Sequence, residues 1–189
     1  MQHPLEVHNA KGSARLLHLS LPGSHLLTGE VFAEAELQTL LNGPWPTPSP
    51  LTQSASKSGR KRAILLYPET ADDVTSGLSA PPALTADVLH DPSELRLIVL
   101  DGTWRKSRKM LYLNPLLQQL PRLSLTDMPA SRYLIRKAQR IDQLSTLEAT
   151  CVTLAQLEGD GERFRPLLNA FDGFVAQQLA SREGSVAPK

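Results

Sequence analysis

A chain of 189 residues with 41% hydrophobic and 21% charged residues is long enough to bury one core, and this composition argues against global disorder. The net charge of +1 identifies no partner, but cations cluster at 60–62, 105–109 and 132–140, and such clusters can serve a nucleic acid. The single cysteine, Cys151, excludes an intrachain disulfide and a four-cysteine zinc site, and it predicts an intracellular, cytoplasmic protein. No apolar run approaches the roughly 20 residues of a membrane span.

Apolar segments with the length of strands alternate with segments of helical periodicity. In chain order, helices are predicted at 13–20, 31–42, 85–90, 103–113, 145–158 and 164–181. Strands are predicted at 25–28, 63–67, 95–100, 122–125 and 133–135. Continuous apolar strands that alternate with helices predict an α/β fold with a mostly parallel sheet flanked by helices.

The domain organisation follows from composition. We assign residues 1–181 to a single domain, because no internal repeat or linker divides them. Residues 42–59 are rich in Pro and Ser and are predicted to form a flexible loop within it. Residues 182–189 are predicted to be a disordered tail, as is common at chain ends.

The most informative segment is Asp101-Gly102-Thr103-Trp104, where a predicted strand meets a predicted helix. Ligands of open α/β sheets bind beyond the carboxyl ends of the strands, which is where this tetrapeptide falls. One interpretation is structural, with Asp101 capping the helix and Trp104 filling the core. The other is functional, with Asp101 as a general base or substrate anchor, Thr103 binding a ligand and Trp104 walling an apolar pocket.

The helix after this motif is predicted to carry three cations and a phenol on one face, because they recur at spacings of three and four. They are Arg105, Arg108, Lys109 and Tyr112. The opposite side is predicted to carry Trp104, Met110 and Leu111. Such a face is either a solvated surface or, beside a ligand site, a surface that contacts phosphates. Arg132, Arg136 and Lys137 flank the predicted strand at 133–135, where cations are either solvated, or protect a sheet edge, or contact phosphate if they lie near the site.

Two further segments place polar or aromatic groups at the ends of predicted elements. Ser145, followed three residues later by Glu148, forms a capping box that explains both residues structurally. The same helix start also leaves backbone N–H groups for a ligand carboxylate. Leu66-Tyr67-Pro68 ends a strand at a proline, which is an ordinary strand end and also sets an aromatic ring at the edge of the crevice.

The sequence lacks the motifs of several common enzyme classes. It has no Gly-x-Gly-x-x-Gly, no P-loop and no Gly-x-Ser-x-Gly, so classical dinucleotide binding, P-loop ATP hydrolysis and serine-hydrolase chemistry have no support. The five histidines show no metal-ligand spacing, and no metal site is predicted. Cys151 lies in an apolar helical pattern and is predicted to belong to the core rather than to act as a nucleophile.

Several motifs occur together in one order: ILLYP (64–68), LDGTW (100–104) before a basic helix, RYLIRK (132–137) and LSTLEA (144–149). With the segment that begins at Gln2, this set resembles the DTW-domain family over about residues 2–158. That family comprises tRNA-uridine aminocarboxypropyltransferases related in fold to the SPOUT RNA methyltransferases. The resemblance implies a SPOUT-like fold with a C-terminal trefoil knot, which a strand pattern alone does not predict. Many members also carry a cysteine-rich, zinc-binding segment; this sequence contains none, so we expect no zinc site.

The resemblance also implies a reaction and a set of site residues. The donor would be S-adenosylmethionine, whose 3-amino-3-carboxypropyl group would move to N3 of a uridine in tRNA with release of 5′-methylthioadenosine. Catalytic roles are implied for Asp101, Thr103 and Trp104. Cofactor-binding roles are implied for Leu66, Tyr67, Pro68, Leu100, Asp101, Leu144, Ser145, Thr146 and Glu148. We expect tRNA contacts from Arg105, Arg108, Lys109, Arg132, Arg136 and Lys137, and we predict neither a membrane nor a protein partner.

Some alternatives stay open at this point. Asp101 would either remove the uridine N3 proton or hold the ammonium group of the donor. Three alternatives to an aminocarboxypropyltransferase also stay open. The chain would then be an S-adenosylmethionine-dependent RNA methyltransferase, a non-catalytic RNA-binding module, or a degraded paralogue that folds but has no function. The by-product separates the two enzymes, since a methyltransferase releases S-adenosylhomocysteine.

Overall fold

The computed structural model describes residues 1–8, 12–43, 61–70, 72–75, 77–125 and 144–184. The strands in this part of the chain are β1 (Arg62–Leu66), β2 (Leu95–Val99) and β3 (Arg122–Leu123). The helices are α1 (Ser13–Ser20), α2 (Glu34–Asn42), α3 (Asp72–Thr75), α4 (Ala86–Leu89), α5 (Trp104–Leu113), α6 (Pro115–Gln118), α7 (Thr146–Leu157) and α8 (Arg165–Gly184). Single-turn 3₁₀ helices occupy Pro4–Glu6 and Pro92–Glu94.

The three strands form one parallel sheet in the order β2–β1–β3. Leu65 of β1 pairs with Ile98 on one side and with Arg122 on the other. Helices connect the strands, as parallel pairing requires. The α/β class with a parallel sheet is therefore confirmed.

The N-terminal residues extend this sheet beyond the end of β2. Gln2 forms one parallel bridge with Asp101 and one with Thr28. Its N–H donates to the carbonyl of Leu27 at 2.7 Å, and its own carbonyl accepts from the N–H of Gly29 at 3.0 Å. The prediction of a strand at 25–28 is wrong. Within this segment only Thr28 forms a β-bridge, and its partner is Gln2.

The predicted helices form, with shifts at their ends. α1 spans the predicted residues 13–20, and α5 begins at Trp104 with Thr103 as its N-cap. α2 begins at Glu34 rather than at 31, α4 has only four residues, and α8 runs past 181 to Gly184. β3 has two residues instead of the four predicted at 122–125.

Some predictions fall outside the described residues. They are the strand at 133–135, most of the loop at 42–59, and the end of the tail after 184. The SPOUT-like arrangement and the trefoil knot therefore stay predictions.

Two apolar clusters bury the inner faces of these elements. One joins α2, the sheet and α5, and it contains Leu37, Leu65, Ile98, Met110 and Leu111. The other joins α1 to α7 and α8, and it contains Leu17, Leu147, Cys151, Phe164, Leu168 and Phe171. Burial raises the pKa of the Cys151 thiol to about 12, and the negative charge of Glu148 adds to the shift. Cys151 is thus a core residue, as predicted, because so weak an acid supplies no thiolate near neutral pH.

A buried ion pair between Asp73 and Arg122 joins α3 to β3. The carboxylate of Asp73 also accepts hydrogen bonds from the hydroxyl of Thr70 at 2.6 Å and from its N–H at 3.2 Å. Burial pushes the pKa of Asp73 upwards, but the hydrogen bonds from Thr70 and Arg122 outweigh it and hold that pKa below its usual value. The guanidinium carbon of Arg122 lies 5.7 Å from the ring centroid of Tyr67, so the pair also supports that ring.

We expect Arg122→Met to lower the free energy of unfolding by about 3–5 kcal/mol at pH 7, because it leaves the buried carboxylate of Asp73 without its cation. Urea unfolding followed by circular dichroism measures this. The contribution of Asp73 is complete above its unfolded-state pKa of about 3.9 and is lost as pH falls through its lower folded-state pKa. Loss of Arg122 removes one of the contacts that lower the pKa of Asp73, so the difference in stability between wild type and Arg122→Met should narrow as the pH falls below about 4.

The matched control is the double variant Asp73→Asn/Arg122→Met, which removes both charges and keeps an oxygen for Thr70. It should be more stable at pH 7 than Arg122→Met alone. If Arg122→Met lowers the free energy of unfolding by less than about 1 kcal/mol, then the Asp73–Arg122 pair contributes no more than a solvent-exposed salt bridge.

Candidate active site

The carboxyl ends of all three strands open into one cleft of about 590 Å³. Its walls come from the loops after the strands and from the start of α7. The lining residues are Leu66, Tyr67, Pro68, Val99, Leu100, Gly102, Thr103, Trp104, Ser107, Leu123, Ser124, Leu125, Leu144, Thr146 and Ala149. This is the position where ligands of open α/β sheets bind.

Eight of the site residues predicted from sequence meet in this cleft. They are Leu66, Tyr67, Pro68, Leu100, Thr103, Trp104, Leu144 and Thr146. Sequence reasoning missed Ser124 and Leu125, although both follow β3 and the rule that picked out the other two strand ends would have found them. It also missed Ala149, which no local pattern distinguishes from an ordinary helical alanine.

Asp101 is not among the residues that line this cleft. It borders a separate cavity of about 410 Å³ that is also lined by residues of α1, α7 and β2. Its Oδ2 accepts a hydrogen bond from Nε2 of Gln2 at 3.0 Å, and its side chain is buried. Its backbone accepts from the N–H of His3 and donates to the carbonyl of Met1. Asp101 thus anchors the N-terminal stretch and fixes the strand end from which Thr103 and Trp104 reach the cleft.

Ser145 and Glu148 form the predicted capping box at the start of α7. The Ser145 N–H donates to Oε2 of Glu148 at 2.8 Å, and the Glu148 N–H donates to Oγ of Ser145 at 3.2 Å. Neither side chain lines the cleft. The capping box leaves the N–H groups of Thr146 and Leu147 for another acceptor, and Thr146 itself lines the cleft.

Tyr67 and Trp104 form an aromatic wall of the cleft, with ring centroids 5.6 Å apart and ring planes at 74°. Tyr67 is buried, and its hydroxyl has no hydrogen-bond partner among the described residues. Thr103 is the N-cap of α5, yet its side chain makes no capping hydrogen bond. Within the described residues, the hydroxyl of Thr103 is on an exposed residue of this cleft, whereas the unpaired hydroxyl of Tyr67 is buried in its wall.

A second cleft of about 540 Å³ lies along α5, and Trp104 borders both clefts. Its lining residues are Leu78, Trp104, Arg105, Arg108, Lys109 and Tyr112. The predicted cationic face of the helix is confirmed. Trp104 was predicted on the opposite side, but it is half exposed and lies one turn from Arg108 on the same side, while Met110 and Leu111 are buried. Arg132, Arg136 and Lys137 lie outside the described residues.

Lys109, one of the cations of this second cleft, forms an ion pair with Glu30. Its Nζ lies 2.9 Å from Oε2 of Glu30, whose Oε1 lies 2.9 Å from Nε2 of His3. The hydrogen bond from Lys109, followed by that from His3, lowers the pKa of Glu30. A phosphate at Lys109 would compete with this carboxylate.

The described ranges contain no group of three or more His, Cys, Asp or Glu side chains that could hold a metal ion. None of their helices combines the length and the apolar character needed to cross a membrane.

Comparison with known proteins assigns the family. A model of the DTW domain matches residues 1–179, so the chain belongs to the DTW-domain family. It is 28% identical over 185 residues to a Drosophila melanogaster protein named tRNA-uridine aminocarboxypropyltransferase 2, covering 95% of this chain and 63% of that protein. A Macaca fascicularis protein of the same name is 31% identical over 83 residues, 44% of this chain and 28% of that protein. The chain thus spans less than two thirds of the length of these relatives, and no solved structure matches it.

Proposed function

We propose that this protein transfers the 3-amino-3-carboxypropyl group of S-adenosylmethionine to N3 of a uridine in tRNA. The observation that carries the proposal is that residues of the ILLYP, LDGTW and LSTLEA motifs line the cleft at the strand ends, here called the strand-end cleft. Trp104 of this cleft also lines the second cleft, along α5, here called the cationic cleft. Relatives named tRNA-uridine aminocarboxypropyltransferase support the reaction and the substrate class. A cytoplasmic location fits a tRNA substrate and the single buried cysteine.

The strand-end cleft has the size and chemistry for such a donor. A volume of about 590 Å³ falls within the usual range for small-molecule sites. Leu66, Pro68 and Leu100 supply apolar surface for an adenine ring. The exposed Thr103 offers a hydroxyl for a hydrogen bond, and the N–H groups of Thr146 and Leu147, which the capping box does not engage, suit a carboxylate.

The cationic cleft has the chemistry for RNA. Arg105 and Arg108 project from α5 beside Trp104, and guanidinium groups bind phosphates well. A single-stranded base is open to stacking on an aromatic side chain. Trp104 lines both clefts and would therefore contact both the donor and the target nucleotide where the two clefts meet.

In this mechanism the chain acts mainly by positioning. The donor supplies a carbon activated by its sulfonium, and 5′-methylthioadenosine leaves with the sulfur. Thr103 and Trp104 orient the uridine so that N3 faces that carbon, which provides the proximity part of the rate enhancement. No carboxylate of the described residues lines the cleft, so we place the N3 proton on water and assign Asp101 to positioning instead of general-base catalysis.

A product assay tests the proposal. The purified protein is incubated with S-adenosylmethionine and unmodified tRNA, and nucleosides and small molecules are then identified by mass spectrometry. We expect aminocarboxypropyluridine together with 5′-methylthioadenosine. Methyluridine with S-adenosylhomocysteine would identify a methyltransferase, and bound tRNA without any product would identify an RNA-binding module.

Variants of Asp101 separate positioning from base catalysis. Asp101→Asn keeps an oxygen that can accept the hydrogen bond from Gln2, so we expect product formation within about threefold of wild type. Asp101→Ala loses that bond, and we expect product formation to fall about tenfold or more, because a shift of the strand end that carries Thr103 and Trp104 would misplace the reactants. If Asp101→Asn is as inactive as Asp101→Ala while it still binds the donor, then the carboxylate of Asp101 acts as the general base.

Charge reversal at Arg108 tests the RNA surface. We expect Arg108→Glu to weaken tRNA binding and to reduce the slope of log Kd against log salt concentration by about 1, because one phosphate contact is lost. Fluorescence anisotropy with labelled tRNA at several salt concentrations measures both. The matched control is Arg15→Glu, an exposed cation of α1 that lines neither cleft. Equal effects of the two reversals would refute a specific contact at Arg108.

A further inference from the structure

Two exposed aromatic rings line the cationic cleft, and the proposed reaction uses only one of them. Trp104 is 50% exposed and Tyr112 is 54% exposed. Tyr112 lies eight residues after Trp104 on α5, about 12 Å along the helix axis at the usual rise per residue. One base held between two rings needs them about 7 Å apart, twice the stacking distance of about 3.4 Å. This backbone spacing therefore favours a separate base for each ring.

The ring of Tyr112 is backed by a tight turn. Gly77 has a φ of +74°, a left-handed conformation that favours glycine. A Cβ built on Gly77 would lie 3.6 Å from Cε2 of Tyr112, so the turn backbone approaches the edge of the ring. The next residue, Leu78, lines the cleft and supplies an apolar surface opposite the helix.

One buried side chain ties this turn to the helix at the level of Tyr112. Nε2 of Gln118 donates to the carbonyls of Leu111 and Tyr112, each at 3.1 Å. Its Oε1 accepts from the N–H of Ser79 at 3.2 Å. The N–H of Leu78 donates to the carbonyl of Asp73 at 3.0 Å, which fixes the other side of the turn. The two walls of the cleft are thus held in place before any ligand binds.

The charge of the cleft selects the kind of ligand. Three cations line it and no carboxylate of the described residues does. Arg105 and Arg108 are the guanidinium groups among these cations, and both lie between Trp104 and Tyr112 along α5. An aromatic surface with guanidinium groups beside it is the combination that binds an unpaired nucleotide, through base stacking and a phosphate contact.

We propose that Tyr112 and Leu78 form a subsite for a second, unpaired nucleotide of the RNA, adjacent to the uridine that enters beside Trp104. Its base stacks on the ring of Tyr112, and its phosphate faces Arg105 and Arg108. The subsite rests on the proposed function for its place next to the target uridine. Its binding of RNA is measured without the donor and without turnover.

The test compares Tyr112→Ala and Tyr112→Phe on the full chain, with Leu19→Ala as a control that truncates a 72% exposed side chain of α1. The probe is a labelled eight-nucleotide single-stranded RNA with a central uridine, and anisotropy gives Kd at several salt concentrations. We expect Tyr112→Ala to raise Kd about tenfold, since loss of one stacked base costs about 1–3 kcal/mol. Tyr112→Phe should stay within about twofold, because phenylalanine retains the stacking surface.

The salt dependence separates stacking from charge. Tyr112→Ala should leave the slope of log Kd against log salt concentration unchanged, because the ring contacts no phosphate. The subsite is overturned if Tyr112→Ala binds as tightly as Leu19→Ala, or if Tyr112→Phe is as weak as Tyr112→Ala. It is also overturned if polyglutamate displaces the RNA equally well from wild type and from Tyr112→Ala. Thermal unfolding checks that the half-exposed Tyr112 is not needed for folding.

Turnover distinguishes failure of the subsite from failure of the proposed function. With tRNA and S-adenosylmethionine, Tyr112→Ala should raise KM for tRNA about tenfold and leave kcat within about twofold, the pattern of lost uniform binding. If product forms and Tyr112→Ala changes neither RNA binding nor KM, the subsite fails and the transferase stands. If no product forms but the Tyr112→Ala binding defect is observed, the transferase fails and the RNA subsite stands.

Discussion

The parallel pairing of β1 with both of its neighbours is the constraint on which the rest of this structure depends. Because β1, β2 and β3 run in one direction, their carboxyl ends open at one edge of the sheet. The segments after the strands then have to meet there, although they are far apart in the sequence. The buried Asp73–Arg122 pair holds the short strand β3 in place, and the guanidinium of Arg122 packs against the ring of Tyr67. The cleft is therefore a direct consequence of the sheet.

Helix α5 connects that cleft to the protein surface. Met110 and Leu111 pack in the core and fix the rotation of the helix, so its cationic face points outward. Trp104, the first residue of α5, stands at the boundary between the strand-end cleft and the cationic cleft. A small donor and a large polyanion can thus approach one aromatic side chain from two sides.

Local patterns predicted much of this arrangement, and long-range contacts account for what they missed. Helical spacing was sufficient for α1, the capping box of α7 and the cationic face of α5. The sequence places Leu100 and Asp101 side by side, but neighbours at a strand end point to opposite faces, and local sequence does not tell which face holds the cleft. The Asp73–Arg122 pair spans 49 residues, and the single bridge at Thr28 depends on the distant Gln2. Neither contact has a local signal.

A crystal structure with bound 5′-methylthioadenosine tests the central claim most directly, because the strand-end cleft and the cavity next to Asp101 are two possible sites for it. The account predicts the ligand in the strand-end cleft, against Leu66–Pro68 and Thr103–Trp104 and beside the start of α7. Binding instead in the cavity of about 410 Å³ next to Asp101 would contradict it. That result would move the reacting centre away from Trp104 and therefore away from the cationic cleft.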